Sequence, residues 1–455
     1  MLSRGRQLVA PAYLFLCLIL GGSAQGQWAN MLLQIIGIVI IAWAAMDETQ
    51  EPLQSPARQL LGIAILAVAV VALQLIPLPS SLWPVLGGRD VIAGGYAVLG
   101  MPVPTAPLSL TPYASIAALL TLIPPFALLC AIVRLRAYSV TGLSLALLGG
   151  TIAGILLGAL QVTSADPLTS RWYLYEETNF GVATGFFANA NHMATLLVIT
   201  LPFLAALLAS GRGANVQRYS ALLALVTGAG LVIIVGLVLN GSLAGYVLTL
   251  PVVAASALIV MPARSYLRQW TIVLGALMLV GAVGALATSS VRSGPSLSQD
   301  ASTSVQTRQE ILSTTFDAVP HFMPLGSGLG SFSDVYPLYE NPDRIIDVYV
   351  NHAHNDYAEL ALETGIPGMI VLVLFLWWWG AAVWRVWRSV EAGPYARAAS
   401  IASAAILVHS LVDFPLRTAA ISVSFAMCLA LLADRRAPAA VGKADLRPAR
   451  HVVMR

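Results

Sequence analysis

The densest run of polar side chains in the sequence is the segment 352–359, which reads His-Ala-His-Asn-Asp-Tyr-Ala-Glu and is followed by Glu363. If the chain is helical from Asn355 onward, Asp356, Glu359 and Glu363 lie on one helical face, because side chains three or four positions apart are neighbours there. A neutral histidine beside such carboxylates can accept a proton near pH 7. The segment therefore indicates a catalytic base, although a solvated helix capped by Asn355 or Asp356 gives the same pattern.

A metal site is a second interpretation of this segment, because His352, His354 and Asp356 are residue types that bind zinc. Alternate residues share a face in a strand, whereas a helix is expected to start in the middle of this set. The metal interpretation is therefore less favoured. The three cysteines of the chain add nothing to it, since all of them lie in apolar runs and predict small buried side chains.

Three arginines also have a chemical interpretation. Arg308 and Arg417 each lie within a few residues of an apolar run, and Arg171 precedes a Trp-Tyr pair. A guanidinium can bind a diphosphate through two parallel hydrogen bonds. The alternatives are pairing with a nearby carboxylate, such as Asp413 beside Arg417, or contact with lipid head groups. Arg171 also has the pattern of an interfacial anchor.

A further polar group opens an apolar run at Asn189, Asn191 and His192. Polar side chains at a membrane edge usually face a cavity or neighbouring helices, which makes Asn191 and His192 candidates for substrate binding. Capping of a helix by Asn189 or Asn191 is the alternative. His409 lies inside another apolar run and predicts a hydrogen-bonded packing residue.

These polar groups stand out because the rest of the chain is apolar. Charged residues make up 10% of the 455 residues and hydrophobic residues 58%, whereas a soluble protein carries about 25% charged residues. Long apolar runs recur from end to end, and a bilayer-spanning helix needs about 20 such residues. The composition excludes a soluble protein and carries no nucleic-acid-binding signature. We predict an all-α polytopic membrane protein.

Twelve apolar runs predict transmembrane helices, with a large, partly helical external loop before the tenth. Alternate threading with both termini on one side places eighteen of the 24 basic residues on that side. Basic residues are enriched in the cytoplasm-facing loops of membrane proteins, so both termini are predicted to be cytoplasmic. The predicted spans are 8–24, 28–46, 60–78, 113–133, 140–161, 192–209, 219–239, 243–262, 270–288, 366–384, 398–412 and 418–433.

The spans divide the chain into four parts: 1–288 with external loops near 79–112 and 162–191, the large loop 289–365, the last three spans in 366–433, and a basic cytoplasmic tail at 434–455. Several prolines predict that the loop near 79–112 is an irregular cover on the membrane surface. Helices are expected in the large loop near 307–319 and 355–364. A signal peptide is the alternative interpretation of the first span, and it leaves the orientation of the later spans unchanged.

Three segments carry a family resemblance. They are 187–194 (Phe-Ala-Asn-Ala-Asn-His-Met-Ala); the block from Arg308 through the glycine-rich stretch 324–330 to His354-Asn355-Asp356-Tyr357 and Glu363-Thr364-Gly365; and 409–417 (His-Ser-Leu-Val-Asp-Phe-Pro-Leu-Arg). In this order, and with the large loop before the tenth span, they resemble the O-antigen ligase and polymerase superfamily of bacterial inner-membrane glycosyltransferases.

The resemblance implies a metal-independent, inverting sugar transfer at the periplasmic face of the inner membrane, without a cofactor. The donor would be a glycan on undecaprenyl diphosphate, and the acceptor a lipid-linked glycan or a lipid-core sugar, both held among membrane lipids. His354 would be the base, Arg308 would neutralise the diphosphate, and Glu363 would complete the catalytic set. Substrate-binding roles are expected for Arg417, Arg171, Asn355, Asp356, Asn191, His192 and Asp413.

One position departs from the family pattern. Many members carry an arginine after a serine just outside the eighth span, whereas Ser242 is followed here by Leu243. Arg417 or Arg171 is a candidate to supply the missing charge, and a different donor geometry is the alternative. A transporter or flippase is the alternative function; it is less favoured because the sequence has no clear internal repeat and few ionisable residues within the spans.

Overall fold

The computed structural model describes residues 5–48, 52–261, 266–289, 299–342 and 350–434, with side chains except at 266, 268 and 282–307. These residues are almost entirely helical. Eight of their helical segments, with 112–133 counted as one, are long and apolar enough to cross a membrane, and shorter apolar helices accompany them. The predicted all-α polytopic class is confirmed. The predicted tail lies outside the described residues from 435 onward.

Sixteen α-helices run through the described residues. They are α1 Val9–Leu20, α2 Gln27–Met46, α3 Ser55–Gln74, α4 Asp90–Val98, α5 Pro112–Thr121, α6 Ile123–Val133, α7 Val140–Val162, α8 Ala190–Ser210, α9 Val216–Asn240, α10 Leu243–Val260, α11 Tyr266–Ser289, α12 Gln299–Ala318, α13 Phe332–Val335, α14 Asp356–Arg388, α15 Pro394–His409 and α16 Ala419–Ala433.

Each predicted span coincides with one of these helices, except that the fourth coincides with two. The predicted span 113–133 is interrupted between α5 and α6, at Leu122. Pro124 and Pro125 lie in the first turn of α6. Proline lacks an amide hydrogen and is tolerated in the first turn of a helix but not in its interior. A new helix therefore starts here within one apolar run.

The core of the bundle surrounds α8, which is the most buried of the long apolar helices and packs against α10 and α15. By contrast, Leu231 and Val235 on α9 are more than half exposed. Exposed apolar side chains on a helix that satisfies its own backbone hydrogen bonds suit contact with lipid. The buried α8 therefore supports the polar residues at its amino-terminal end, while α9 forms part of the outer surface.

The segment between α3 and α5 covers one end of the bundle. The irregular cover expected near 79–112 contains the helix α4 and a two-stranded antiparallel ribbon, β1 Pro77–Leu78 and β2 Ala106–Pro107. Arg89 is buried beneath it and donates to the carbonyl oxygens of Gly87 at 2.5 Å, Gly326 at 3.1 Å and Leu108. Burial lowers the pKa of Arg89 to about 10. This arginine links the cover to the glycine-rich stretch.

The glycine-rich stretch 324–330 packs between the cover and α14. Gly326 and Gly328 have φ of +80° and +113°, in the region that favours glycine. A Cβ at Gly328 would lie 2.2 Å from Oγ of Ser109, and one at Gly326 would lie 2.4 Å from the carbonyl oxygen of Glu363. The amides of residues 326–329 all donate to protein oxygens. These contacts make the stretch a packing element, and its amides are already occupied by protein acceptors, so they cannot bind a phosphate.

The helix α14 begins ten residues before the predicted tenth span and bends at Gly365, where φ is +56°. A Cβ at Gly365 would lie 2.3 Å from the carbonyl oxygen of Pro324, so glycine permits both the bend and the close contact. The helix expected near 355–364 is thus the first part of α14. Carboxylates on this part are rigidly connected to a long apolar helix.

Candidate active site

Three helix starts bring the predicted site residues together. Asn189, Ser242 and Asn355 cap α8, α10 and α14, each through its side-chain oxygen. Such a cap satisfies an amide that has no partner within the helix. The connection between α15 and α16 crosses the same end of the bundle, where the amide of Asp356 donates to the carbonyl of Ser410 at 3.0 Å. Polar residues far apart in sequence therefore converge.

Asp413 on this connection is fully buried and lies at the centre of one group. Its Oδ2 accepts a hydrogen bond from Nδ2 of Asn191. Its Oδ1 lies 3.7 Å from Nε2 of His192 and 3.8 Å from Nδ1 of His354, and its Oδ2 lies 3.8 Å from Nη2 of Arg308. Burial alone would raise the pKa of Asp413, but the histidines and Arg308 hold it well below its usual range. We call these five residues the Asp413 cluster.

Asn191 connects the Asp413 cluster to α10. Its Oδ1 accepts a hydrogen bond of 2.7 Å from Oγ of Ser242, which leaves the amide nitrogen to face Asp413. Leu243, which stands where the family pattern has an arginine, is about half exposed. Leu243, the position that departs from the family pattern, therefore lies next to the Asp413 cluster, and Ser242 before it orients Asn191.

His354 has two unusual features. Its φ is +50°, a conformation that few residues other than glycine adopt. Its Nδ1 is buried and has no hydrogen-bond partner among the described residues, since 3.8 Å from Asp413 is too long for one. Both ring nitrogens of His192 are likewise buried and unpartnered there. Backbone strain and unpaired buried polar atoms concentrate at functional sites.

Phe414 packs against three histidines. Its ring centroid lies 5.1 Å from that of His192, 4.2 Å from that of His352 and 5.0 Å from that of His354. Edge and tilted ring contacts at these distances are attractive. The phenyl ring therefore contacts all three imidazoles and restricts their orientation.

A second group forms around Arg417, whose Nη2 lies 3.1 Å from Oε1 of Glu359 and 3.2 Å from Oε2 of Glu363. Its Nε lies 3.6 Å from Oδ1 of Asp356. Burial alone would lower the pKa of Arg417, but the three carboxylates raise it above its usual range. These four residues are the Arg417 cluster. The guanidinium is paired with the acids of α14 and not with Asp413, the partner considered from the sequence.

Arg308 is more accessible than Arg417. It lies on α12, its side chain is 36% exposed, and its ion pair with Asp413 is 3.8 Å long. The corresponding exposure of Arg417 is 24%, with ion pairs as short as 3.1 Å. Arg308 therefore keeps guanidinium donors within reach of a ligand, whereas those of Arg417 are directed to protein carboxylates.

The other predicted residues have local partners. Asn355 accepts from the amides of Tyr357 and Ala358 and donates to the carbonyl of Leu411, so it caps α14 as the alternative interpretation expected. Arg171 lies on the α7–α8 connection and stacks on Trp172 at 5.2 Å, apart from both clusters.

Glu363 is fully buried, and its Oε1 accepts from the amide of Phe332 at 3.2 Å. Asp356 accepts from Oγ of Ser410 at 2.7 Å. Neither carboxylate is exposed, so both are placed to hold other groups.

The three residues of the metal interpretation face different partners. Nδ1 of His352 lies 2.8 Å from Glu359, whereas His354 faces Asp413 and Asp356 binds Ser410. Across the described ranges, no group of three or more His, Cys, Asp or Glu side chains is arranged to hold a metal ion.

Comparison with known families adds an independent observation. Residues 228–373 match the family model described as O-antigen ligase. The match covers 146 of the 455 residues, from 228 to 373. The resemblance drawn from the three sequence segments is thereby confirmed, and the match supports a glycosyltransferase-type enzyme of polysaccharide assembly. A search of the curated proteins finds no match to the chain.

The residues that match the family model contribute only part of the two clusters. Arg308, His354 and the carboxylates of α14 lie within the matched residues, whereas Asn191, His192, Asp413 and Arg417 lie outside them. Residues before and after the matched stretch therefore complete the two clusters.

Sequence reasoning did not select Phe414, Ser242 or the pairing of His352 with Glu359. The sequence carried a signal for this pairing, because Glu359 lies on the predicted carboxylate face and is only seven residues after His352.

Proposed function

We propose that the protein is an inverting, metal-independent glycosyltransferase of the bacterial inner membrane whose site faces the periplasm. It transfers a glycan from undecaprenyl diphosphate to a sugar hydroxyl of a lipid-linked or lipid-core acceptor. The observation that carries this proposal is the accessible guanidinium of Arg308 beside buried Asp413 and His354. This arrangement offers a cation for a diphosphate next to a group that can take a proton.

The reaction sets two requirements. The acceptor oxygen attacks the anomeric carbon while the bond from that carbon to the diphosphate oxygen breaks, so negative charge grows on the leaving group. Arg308 can meet this charge with a planar pair of donors. The acceptor hydroxyl also loses a proton, and an imidazole is suited to accept it. The buried carboxylate of Asp413 faces both Arg308 and His354, and its charge keeps them in place.

The position of the site supports lipid-linked substrates and a periplasmic orientation. The Asp413 cluster lies at the amino-terminal end of α8, which the distribution of basic residues assigns to the external side. A site at the ends of membrane helices can receive a sugar from water while its lipid stays in the bilayer. We favour a role in polymerising O-antigen or exopolysaccharide over ligation, because the sequence has no segment dedicated to a lipid core.

Reconstitution with a defined glycan on undecaprenyl diphosphate tests the proposal. A ladder of products is expected for a polymerase, and a single transfer to a lipid core for a ligase. Movement of the substrate across the bilayer without a new bond would instead support a transporter or flippase. Activity should persist in the presence of a chelator, and its rescue by an added divalent ion would overturn metal independence.

Arg308→Lys is the sharpest single substitution. It keeps the charge but loses the planar pair of donors, so we expect kcat to fall about 100-fold, as for loss of one group that stabilises a transition-state anion. Arg58→Lys is the matched control, since Arg58 is an exposed arginine near the start of α3, at the opposite end of the bundle. Equal activity of the two variants would contradict the proposed role of Arg308 in binding the donor.

A further inference from the structure

His352 and Glu359 form a pair that neither the family resemblance nor the proposed function uses. Nδ1 of His352 lies 2.8 Å from Oε1 of Glu359, which is a full hydrogen bond. The amide of Ala353 donates to the other oxygen of Glu359 at 2.9 Å. Glu359 is 1% exposed, whereas the side chain of His352 is 25% exposed. A buried, doubly held carboxylate thus orients an accessible imidazole.

This hydrogen bond determines which nitrogen of His352 can act as a base. A carboxylate accepts, so the proton of neutral imidazole resides on Nδ1 and the lone pair on Nε2. No hydrogen bond to Nε2 occurs among the described residues. His354 lacks such an orientation, because its Nδ1 is 3.8 Å from a carboxylate that also faces His192 and Arg308. Of the two histidines, His352 has the geometry of a general base.

We propose that His352, positioned by Glu359, accepts the proton of the acceptor hydroxyl, and that His354 serves the donor side together with Arg308. This assignment rests on the proposed glycosyl transfer, and it replaces His354, the base that the family resemblance implies, with His352. The acceptor oxygen forms its bond to the anomeric carbon, the carbon–diphosphate bond breaks, and the hydroxyl proton moves to Nε2 of His352. The leaving diphosphate keeps the electron pair beside Arg308. Phe414 contacts both histidines, with ring-centroid distances of 4.2 Å to His352 and 5.0 Å to His354.

The charges around the pair support the imidazolium that this step creates. Glu359 faces His352 directly, and Asp356 on the same helix adds negative charge nearby. Arg417 lies 3.1 Å from Glu359 on its other side and offsets part of that charge. His354 and His192 are the other histidines whose rings contact Phe414. A protonated His352 thus remains paired with a carboxylate throughout the step.

Glu359→Gln tests the positioning role with little change of shape. The side-chain amide can donate to Nδ1 of His352, which moves the ring proton to Nε2 and removes the basic lone pair. We expect kcat to fall at least about 100-fold, and the rate to lose its dependence on the ionisation of an imidazole.

Glu177→Gln is the matched control, because it makes the same change at an exposed glutamate on the α7–α8 connection, whose hydrogen bonds to Gln25 use its backbone. It should keep the wild-type kcat and pH profile. A Glu359→Gln variant that loses kcat but keeps the wild-type pH profile would reduce Glu359 to a structural role and overturn the assignment.

His352→Asn and His354→Asn then separate the two histidines. Asparagine at 352 can still donate to Glu359, so the fold is retained while the base is lost, and kcat should fall about 100-fold. Wild-type kcat and pH profile in His352→Asn, with loss of transfer in His354→Asn, would overturn the assignment and leave the proposed function intact. Absence of transfer by the wild-type protein itself, with the lipid-linked donor present, would overturn the proposed function.

Discussion

Two arginines at the site have the same charge and opposite surroundings. Arg417 neutralises three carboxylates of α14, two of them fully buried, whereas Arg308 is more exposed and faces only Asp413 among the ion pairs described. Breaking a buried ion pair by removing one partner leaves the other charge without compensation. The expected effects of the two arginines are therefore separable: we expect Arg417 to stabilise the fold and Arg308 to bind the substrate.

We expect Arg417→Ala to lower the free energy of unfolding by about 3–5 kcal/mol, the usual cost of leaving buried charges unpaired. Arg308→Ala should leave the unfolding temperature in detergent close to that of the wild type and abolish transfer. Membrane protein levels and thermal unfolding measure the first effect, and the reconstituted assay the second. An Arg417→Ala protein that is as stable as wild type but inactive would instead support a role for Arg417 in binding the diphosphate.

Spacing in the sequence predicts contacts within one helix but not contacts between distant segments. Spacing placed Asp356, Glu359 and Glu363 on one helical face, and α14 has that face. Their partner, Arg417, follows Glu363 by 54 residues, and spacing along one helix contains no information on which distant loop folds over it. The sequence leaves His352 open as a metal ligand for the same reason, because its hydrogen bond to Glu359 depends on the residue at which α14 begins.

At the level of helices and loops, the glycine-rich stretch is a rigid joint between the cover, α3 and α14. Gln74 at the end of α3 donates to the carbonyl of Glu363 at 2.8 Å, and its Oε1 accepts from the amide of Leu329 at 3.0 Å. The carbonyl of Glu363 also accepts from Gly328 at 2.8 Å. The backbone at the base of the Arg417 cluster therefore depends on this joint.

Gly328→Ala tests the joint. A Cβ would meet Ser109 at 2.2 Å, at a φ of +113° that alanine rarely adopts, so we expect a loss of about 3 kcal/mol in stability from strain and overpacking. Gly62→Ala on α3 is the control, because a Cβ there has no heavy atom within 4 Å and alanine favours helix by up to about 1 kcal/mol. Similar unfolding temperatures in detergent for both variants would contradict the role of the joint.

Helix positions were largely predictable, and the exceptions have physical causes. Apolar runs marked every span, because a helix in lipid needs a continuous apolar exterior. They did not reveal the break before Pro124, since the run continues through it, nor the start of α14 at Asp356, since its first turns are polar. Gly365 allows α14 to bend at a point where a Cβ would lie 2.3 Å from the carbonyl oxygen of Pro324.

Over the whole molecule, basic residues and site residues separate to opposite ends of the helices. Most basic residues of the described ranges lie at the end predicted to be cytoplasmic, whereas both clusters lie where α8, α10 and α14 begin. The few arginines at this second end include the buried Arg89, Arg417 within its carboxylates, and Arg308. These three arginines have specific partners or an exposed position at the site, as we expect for basic residues at an end that the positive-inside pattern predicts to be external.

Cysteine labelling tests the orientation directly. The native cysteines, Cys17, Cys130 and Cys428, are all buried and should react little with a maleimide. Ala165 on the α7–α8 connection and Ala214 between α8 and α9 are both exposed, one near each end of α8. We expect a membrane-impermeant maleimide to label Ala165→Cys when only the outer membrane is permeabilised, and Ala214→Cys only after the inner membrane is also disrupted. The reverse order would place the Asp413 cluster in the cytoplasm, where it could not act on lipid-linked glycans at the periplasmic face.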